Sequence, residues 1–212
     1  MPAQRFSRCL VAAACLVLFG CALPSPDCPN CSPLARPPSV TIAAVGDTNG
    51  YNLLRFGPDT QDPLEDVRDL LRQHDVFIFN YEGVILSETP SPGRCRAWPR
   101  QSSFHNPPWI AGFLRPTPVA IATLATNHIL ECGPEGIEET IRELSRQRIL
   151  TVGAGRNADE ACRPVRVAVN GVRLAILAYL AMNADWFLAK SERAGAASWD
   201  ECRGEQIGRA HV

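Results

Sequence analysis

The sequence is poor in several features, and each shortage excludes a class of protein. Only 7% of its 212 residues are aromatic, and Lys190 is the single lysine among 21 basic residues. The formal net charge of −1 shows neither the basic footprint of a nucleic-acid binder nor an acidic tail. The longest apolar run, Cys9–Gly20, is shorter than the roughly 20 residues that a membrane-spanning helix needs. We therefore expect no polytopic membrane protein and no nucleic-acid partner.

The composition that remains is typical of one globular domain with appendages, because 46% of the residues are apolar and 20% are charged. The N-terminal appendage has the order of an export signal. Arg5 and Arg8 precede the apolar run, as in a signal peptide, so residues 1–20 are excluded from the fold. The segment ending in Gly20-Cys21 resembles a bacterial lipobox, although Phe19 is larger than the usual residue there. We expect lipidation of Cys21 and an exported membrane lipoprotein facing the extracytoplasmic side; the alternative is an ordinary secretory signal cleaved near Ala22.

The next segment, residues 21–39, contains six prolines and no periodic apolar pattern, which predicts an extended tether. Cys28 and Cys31 have C-x-x-C spacing, but no second pair follows at a zinc-site distance, so a local disulfide is favoured over zinc. Four further cysteines lie in the body of an exported chain, which predicts one or two disulfides whose pairing the sequence leaves open: Cys95, Cys132, Cys162 and Cys202.

The C-terminal residues 207–212 read as one frame of a widely used sequencing adapter, ATC GGA AGA GCA CAC GTC. We expect the natural sequence to depart from this one near Gln206 and to continue. Residues 40–206 are then a partial domain, truncated at its C-terminus.

The body alternates apolar runs of strand type with helical patterns. Strands are predicted at Val40–Val45, Val76–Phe79, Val119–Leu124 and Ile149–Val152. Helices are predicted at Pro63–Gln73, from Cys132–Gly136 onward with Ile137, Ile141 and Leu144 inside, and for one turn at Ala158–Ala161. Asn170-Gly171 predicts a hairpin between Val165–Val169 and Val172–Leu177. This order indicates an α/β fold with a mixed sheet, in which Val40–Val45 is buried and Val172–Leu177 is central.

Polar side chains follow three of the predicted strands. Asp47 and Asn49 follow the first, Asn80 and Glu82 follow the second, and Asn127-His128 follows the third. Strand ends of this kind converge on one crevice in open sheets. Carboxylate, amide and imidazole groups are ligands that Mn, Fe, Zn or Mg accept, so a divalent metal site is one prediction. Each motif alone also fits a turn, a strand terminus or a helix cap.

Four motifs in this order resemble the family of CapA-type poly-γ-glutamate capsule synthesis proteins, and the similarity runs over about Val40 to Leu180. They are Gly46-Asp47, Asn80-Tyr81-Glu82-Gly83, Ala125-Thr126-Asn127-His128 and the run from Gly153 to Ala161. The resemblance implies a mixed-sheet sandwich flanked by helices, like that of the calcineurin-like metallophosphoesterases, with metals at the strand ends.

The resemblance also implies roles for individual residues. Asp47, Glu82, Asn127 and His128 would be metal ligands, with Glu82 in the bridging position, and His128 would also act on the leaving group or on a metal-bound oxygen. Two positions depart from the pattern: Asn49 stands where phosphoesterases of this fold usually have a histidine, and Glu131 replaces an aspartate usual after the Asn-His pair. Gly153-Ala154-Gly155 is no phosphate-binding Walker loop and predicts a tight turn.

Three functions follow as alternatives. The resemblance joined to the lipobox implies a membrane-anchored factor that handles an anionic polymer such as poly-γ-glutamate, together with other capsule-synthesis membrane proteins. The metal-ligand types equally fit a metal-dependent phosphoesterase acting on a small extracytoplasmic phosphate ester. Asn49 suggests instead a non-catalytic polymer-binding module.

Overall fold

The computed structural model describes residues 37–50, 62–88, 90, 94–95, 104–181 and 185–203. In chain order the strands are β1 (Ile42–Thr48), β2 (Val76–Tyr81), β3 (Val84–Ile85), β4 (His105–Asn106), β5 (Val119–Thr123), β6 (Ile149–Val152), β7 (Ala154–Gly155), β8 (Val165–Val169), β9 (Val172–Ile176) and β10 (Gly195–Ala196). The α-helices are α1 (Glu65–Leu71), α2 (Gly133–Arg146), α3 (Ala158–Ala161) and α4 (Trp199–Cys202), and 3-10 helices span Pro108–Phe113 and Asp185–Phe187. The predicted α/β class is confirmed.

The centre of the fold is a four-stranded parallel sheet in the order β1-β2-β5-β6. Runs rich in Val, Ile and Phe form β2 and β5, which are buried along most of their length. Since all four strands run in one direction, their carboxyl ends lie along the same edge of the sheet. That edge carries the polar motifs of the sequence.

One face of this sheet is covered by α2, and the main core lies there. The helix begins at Gly133 with Pro134 in its first turn, and Ile137 and Leu144 are fully buried on its inner face, as predicted. They pack in one cluster with Phe79, Ala122 and other apolar residues. Burial of each such large side chain stabilises the fold by about 1.5–3 kcal/mol.

The opposite face packs against the β8–β9 hairpin through Val76, Ile121 and Val152. Asn170 and Gly171 have φ angles of 51° and 80°, which a two-residue type I′ turn requires. The Asn170 amide also donates a 2.9 Å hydrogen bond to Asp75, which fixes the turn beside the start of β2.

Four local expectations need correction. The first strand is largely exposed, with Ile42 and Val45 at 44% and 46%, because within the described sheet it is an edge strand. Residues 172–176 pair with β8 alone and alternate between partly buried and exposed, so this strand is not central. The parallel strands and the hairpin lie in separate sheets, and Ala154–Gly155 pairs with β10 instead of forming only a turn.

Two disulfides join the four cysteines of the body, which confirms the predicted number and supplies the pairing. Cys95 is bonded to Cys132, and Cys162 is bonded to Cys202. None of the described helices has the length and apolar character needed to cross a bilayer. The predictions for Cys21, for Cys28 and Cys31 and for residues 207–212 lie outside the described residues.

Candidate functional site at the strand ends

The carboxyl ends of β1, β2 and β5 meet, and a register shift aligns their polar residues. Between Val45 and Asp47 the pairing of β1 with β2 slips by one residue, so Asp47 lies opposite Asn80. The Asn80 amide nitrogen donates a 2.6 Å hydrogen bond to Asp47 Oδ1, and its oxygen accepts one of 2.8 Å from Thr123 Oγ1. The amide is thereby fixed in one orientation between the two strands.

Glu82 lies between Asn49 and His128. Its backbone N–H donates to the Thr48 carbonyl at 3.0 Å, which holds it beside the end of β1. Its Oε2 accepts a 3.4 Å hydrogen bond from the Asn49 amide, and its Oε1 lies 3.6 Å from His128 Nε2. The carboxylate therefore connects the first strand end with the third.

His128 is held from its other side by Glu131. His128 Nδ1 lies 2.5 Å from Glu131 Oε1, and the exposed fractions of the two side chains are only 6% and 1%. A carboxylate in this position accepts from the imidazole tautomer that has its N–H at Nδ1, and in that arrangement Nε2 faces Glu82. Glu82, His128 and Glu131 thus form one row, which we call the Glu–His–Glu row.

The second oxygen of Glu131 is engaged by the backbone of Phe104. The Phe104 N–H donates to Glu131 Oε2 at 2.6 Å, and the Phe104 ring lies 4.5 Å from the His128 ring, centre to centre. Gly83 holds this segment close: its φ is +125°, and a Cβ there would collide with the Phe104 carbonyl oxygen. That carbonyl accepts a 2.8 Å hydrogen bond from the Val84 N–H.

Tyr81 precedes Glu82 and adds no charge to the site. Burial raises the pKa of the Tyr81 phenol, and the neighbouring Asn106 side chain opposes that rise only in part. The phenol is therefore neutral at physiological pH. The acidic side chains at the strand ends are Asp47, Glu82 and Glu131.

The four residues predicted as metal ligands fall into separate contacts. Glu82 and His128 are neighbours, whereas Asp47 is bonded to Asn80, and none of the hydrogen bonds or ion pairs of the described residues joins Asn127 to the other three. Within the described ranges, no three His, Cys, Asp or Glu side chains are arranged to hold a metal ion. These residues do not form a complete metal site by themselves, and their ligation of Mn, Fe, Zn or Mg stays a prediction.

Sequence reasoning singled out Glu131 only as a departure from a pattern, and it missed Phe104. Spacing does offer a signal for Glu131, which follows His128 by three residues, as would a neighbour on one helical turn. No sequence signal points to Phe104, because its contact with Glu131 depends on the approach of a distant segment over Gly83. Asn80 was expected at the strand end, but its bond to Asp47 arises from the register shift.

Comparison with known proteins agrees with this fold and these motifs. The family model described as "Bacterial capsule synthesis protein PGA_cap" matches residues 41–207. The "PGA biosynthesis protein CapA" of Bacillus subtilis (strain 168) is 31% identical over 77 residues, which is 36% of this chain and 20% of that relative. The matched stretch is thus about a fifth of the relative's length. The PGA_cap domain is metallophosphoesterase-like, as is the fold described above. The chain belongs to the PGA_cap family of bacterial capsule synthesis proteins.

Proposed function

We propose that this chain acts in capsule synthesis at the extracytoplasmic face of the membrane, where it engages poly-γ-glutamate or a similar anionic polymer at the Glu–His–Glu row. Its membership of the PGA_cap family supports the polymer class. The single observation that carries the position of the site is the buried His128, held at Nδ1 by Glu131 and directed at Glu82 through Nε2.

The row suits the amide groups of such a polymer. His128 Nε2 can accept a proton from a bound group or return it, while Glu131 stabilises the charge that the ring gains. Phe104 covers one side of the ring and limits access of water from there. An amide N–H of the chain is a partner that Glu82 or His128 can accept from, and an amide carbonyl is a partner for the protonated ring.

The charge of the strand ends limits how the polymer binds. Asp47, Glu82 and Glu131 repel the polymer's own carboxylates, so its amide linkages, and not its acid groups, face this row. The acid groups therefore need a separate cationic surface.

A specific contact favours a second candidate, a polymer-binding module without catalysis. The Asn49 amide donates to Glu82 Oε2, so an oxygen of the carboxylate expected to bridge two metals already has a partner. The third candidate, a metal-dependent phosphoesterase, draws on the same residues and is separated from the first two by experiment.

The test uses the purified full chain with three measurements: metal content, turnover of p-nitrophenyl phosphate, and the binding and chain length of poly-γ-glutamate. We expect the polymer to bind, and His128→Gln to weaken binding or any change in chain length at least tenfold. Asp69→Ala is the matched control, since that carboxylate is 93% exposed on α1. Phosphate-ester turnover that Asp47→Ala abolishes, with no polymer binding, would overturn the proposal in favour of a phosphoesterase. Metal-free protein that binds the polymer without altering it would favour the binding module.

The anchoring at Cys21 is part of the same proposal and has its own test. Buried methylene groups of attached acyl chains add about 0.8 kcal/mol each to membrane affinity. We expect Cys21→Ser to leave the protein unacylated and to move it out of the membrane fraction. Equal incorporation of labelled fatty acid by the variant would contradict the lipoprotein assignment.

A further inference from the structure

A cleft with a volume of about 430 Å³ lies next to the Glu–His–Glu row. Among the described residues its lining consists of Arg94, Leu130, Glu131, Gly133, Pro134, Trp186, Arg193 and Ala194. Glu131 belongs to both places, since it lines this cleft and bonds His128. The cleft and the proposed site therefore share the Glu131 side chain.

Two arginines supply the charge of this cleft. Arg94 Nη2 donates to Glu139 Oε1 at 2.5 Å. Arg193 Nη2 donates to the Asp185 carbonyl oxygen and carboxylate at 2.5 and 3.2 Å. These bonds hold each guanidinium in place, yet the two side chains stay 31% and 41% exposed.

The acidic partners of these arginines are not among the described lining residues. Glu139 and Asp185 hold the guanidinium groups from outside, while Glu131, the acidic residue of the lining, has both oxygens engaged by His128 and Phe104. The cleft therefore presents the cationic side of each ion pair. Guanidinium groups held in this way suit planar carboxylates, which they bind through paired N–H donors.

Trp186 supplies an apolar wall beside the two charges. It is 43% exposed, although its ring packs edge-on against Phe187 with the centroids 4.8 Å apart. Leu130 and Pro134 add further apolar surface. A ligand that carries a carboxylate on a short methylene chain matches this combination of charge and apolar surface.

We propose that this cleft binds carboxylate groups borne on short aliphatic stems. The inference rests on the proposed function in one respect: the cleft supplies the cationic surface that a polymer needs when its amide linkages face the Glu–His–Glu row. One segment of the chain would then place an acid group at Arg94 and Arg193 and an amide at His128.

The test measures binding of a small probe and requires no turnover. Glutarate is titrated into the ¹⁵N-labelled full chain while the Trp186 indole N–H signal is followed, assigned among the four tryptophans with a Trp186→Phe variant. Glutaramide, which has the same stem without charge, is the matched probe. We expect glutarate to shift the signal with saturation, at least tenfold more tightly than glutaramide, and added salt to weaken its binding.

Two variants keep the proposal falsifiable if one fails to fold. Arg193→Gln removes a cation but also loosens the Asp185–Leu188 turn that Arg193 holds. Pro134→Glu instead adds a negative charge at an exposed first-turn position of α2, where an acid is tolerated, and Pro134→Gln is its neutral control. We expect Arg193→Gln and Pro134→Glu each to weaken glutarate binding at least tenfold, and Pro134→Gln to change it less than twofold.

Equal affinity for glutarate and glutaramide, or unchanged glutarate binding in both charge variants, would overturn the inference. Failure here is distinguishable from failure of the proposed function. If the Trp186 signal responds to glutarate while the polymer leaves the His128 signals unchanged, the carboxylate cleft is supported and the proposed site at His128 is refuted. If the His128 signals respond to the polymer while glutarate leaves the Trp186 signal unchanged, the proposed site is supported and the carboxylate cleft is refuted.

Discussion

Replacing Glu131 tests the interaction on which the candidate site depends. Its carboxylate is 1% exposed and accepts two short hydrogen bonds, from His128 Nδ1 and from the Phe104 N–H. Removing this carboxylate leaves two buried donors without an acceptor and without contact with water, and each such unsatisfied group typically costs about 1–3 kcal/mol. We therefore expect Glu131→Ala to lower the free energy of unfolding by about 2–6 kcal/mol.

Glu131→Gln is the milder form of the same perturbation. The amide keeps the shape and one acceptor oxygen but removes the charge, so we expect a loss of about 1–3 kcal/mol. Urea unfolding at neutral pH with both disulfides intact measures these differences. Glu138→Gln, at an exposed position of the same helix α2, is the matched control and should change the value by less than about 0.5 kcal/mol. If Glu131→Ala costs less than about 1 kcal/mol, the reasoning about this buried pair is refuted.

Three further changes probe the surroundings of the site. Gly83→Ala should destabilise the protein by about 2 kcal/mol or more in urea unfolding, because a Cβ there meets backbone; Gly112→Ala, with open space at its Cβ, should cost much less, and equal costs would contradict the packing described. Replacing Cys95 and Cys132 together by serine opens a cross-link between residues 37 apart and should lower the free energy of unfolding by about 2–4 kcal/mol, whereas unchanged stability would show that the bond does not constrain the chain. Hydrogen bonds from the Thr41 backbone and side chain and from an amide lower the pKa of Asp75, so its stabilisation is present above the unfolded value near 4 and is lost as pH falls below it. Asp75→Asn should therefore flatten the pH dependence of unfolding below about pH 4, and an acid limb identical to that of the unchanged protein would contradict this assignment.

The interior of the fold could be read from local sequence patterns. β2, β5 and β6 follow from short runs of β-branched and aromatic residues, and the buried face of α2 follows from the helical spacing of Ile137 and Leu144. These patterns are reliable because the period of the apolar residues and the geometry of the element agree. The Asn170-Gly171 turn was equally readable, because few residue pairs adopt positive φ angles in succession.

The predictions that were wrong or missing concern features that depend on neighbours distant in sequence. The apolar run that forms β1 is the same whether the strand lies at an edge or at the centre, so its exposure was not predictable. The contact of Glu131 with Phe104 depends on how Phe104 passes over Gly83, and the disulfide pairs Cys95 with Cys132, 37 residues away. Long-range contacts of this kind leave no period in the local sequence.

The central claim is that the polymer meets the protein at His128. The most direct measurement follows the imidazole signals of His128 in the full chain while poly-γ-glutamate oligomers are added, with the four histidines assigned by a His128→Gln variant. We expect the His128 signals to shift with saturation and Glu131→Gln to weaken this response at least severalfold. Oligomers that bind the chain without moving the His128 signals would contradict it.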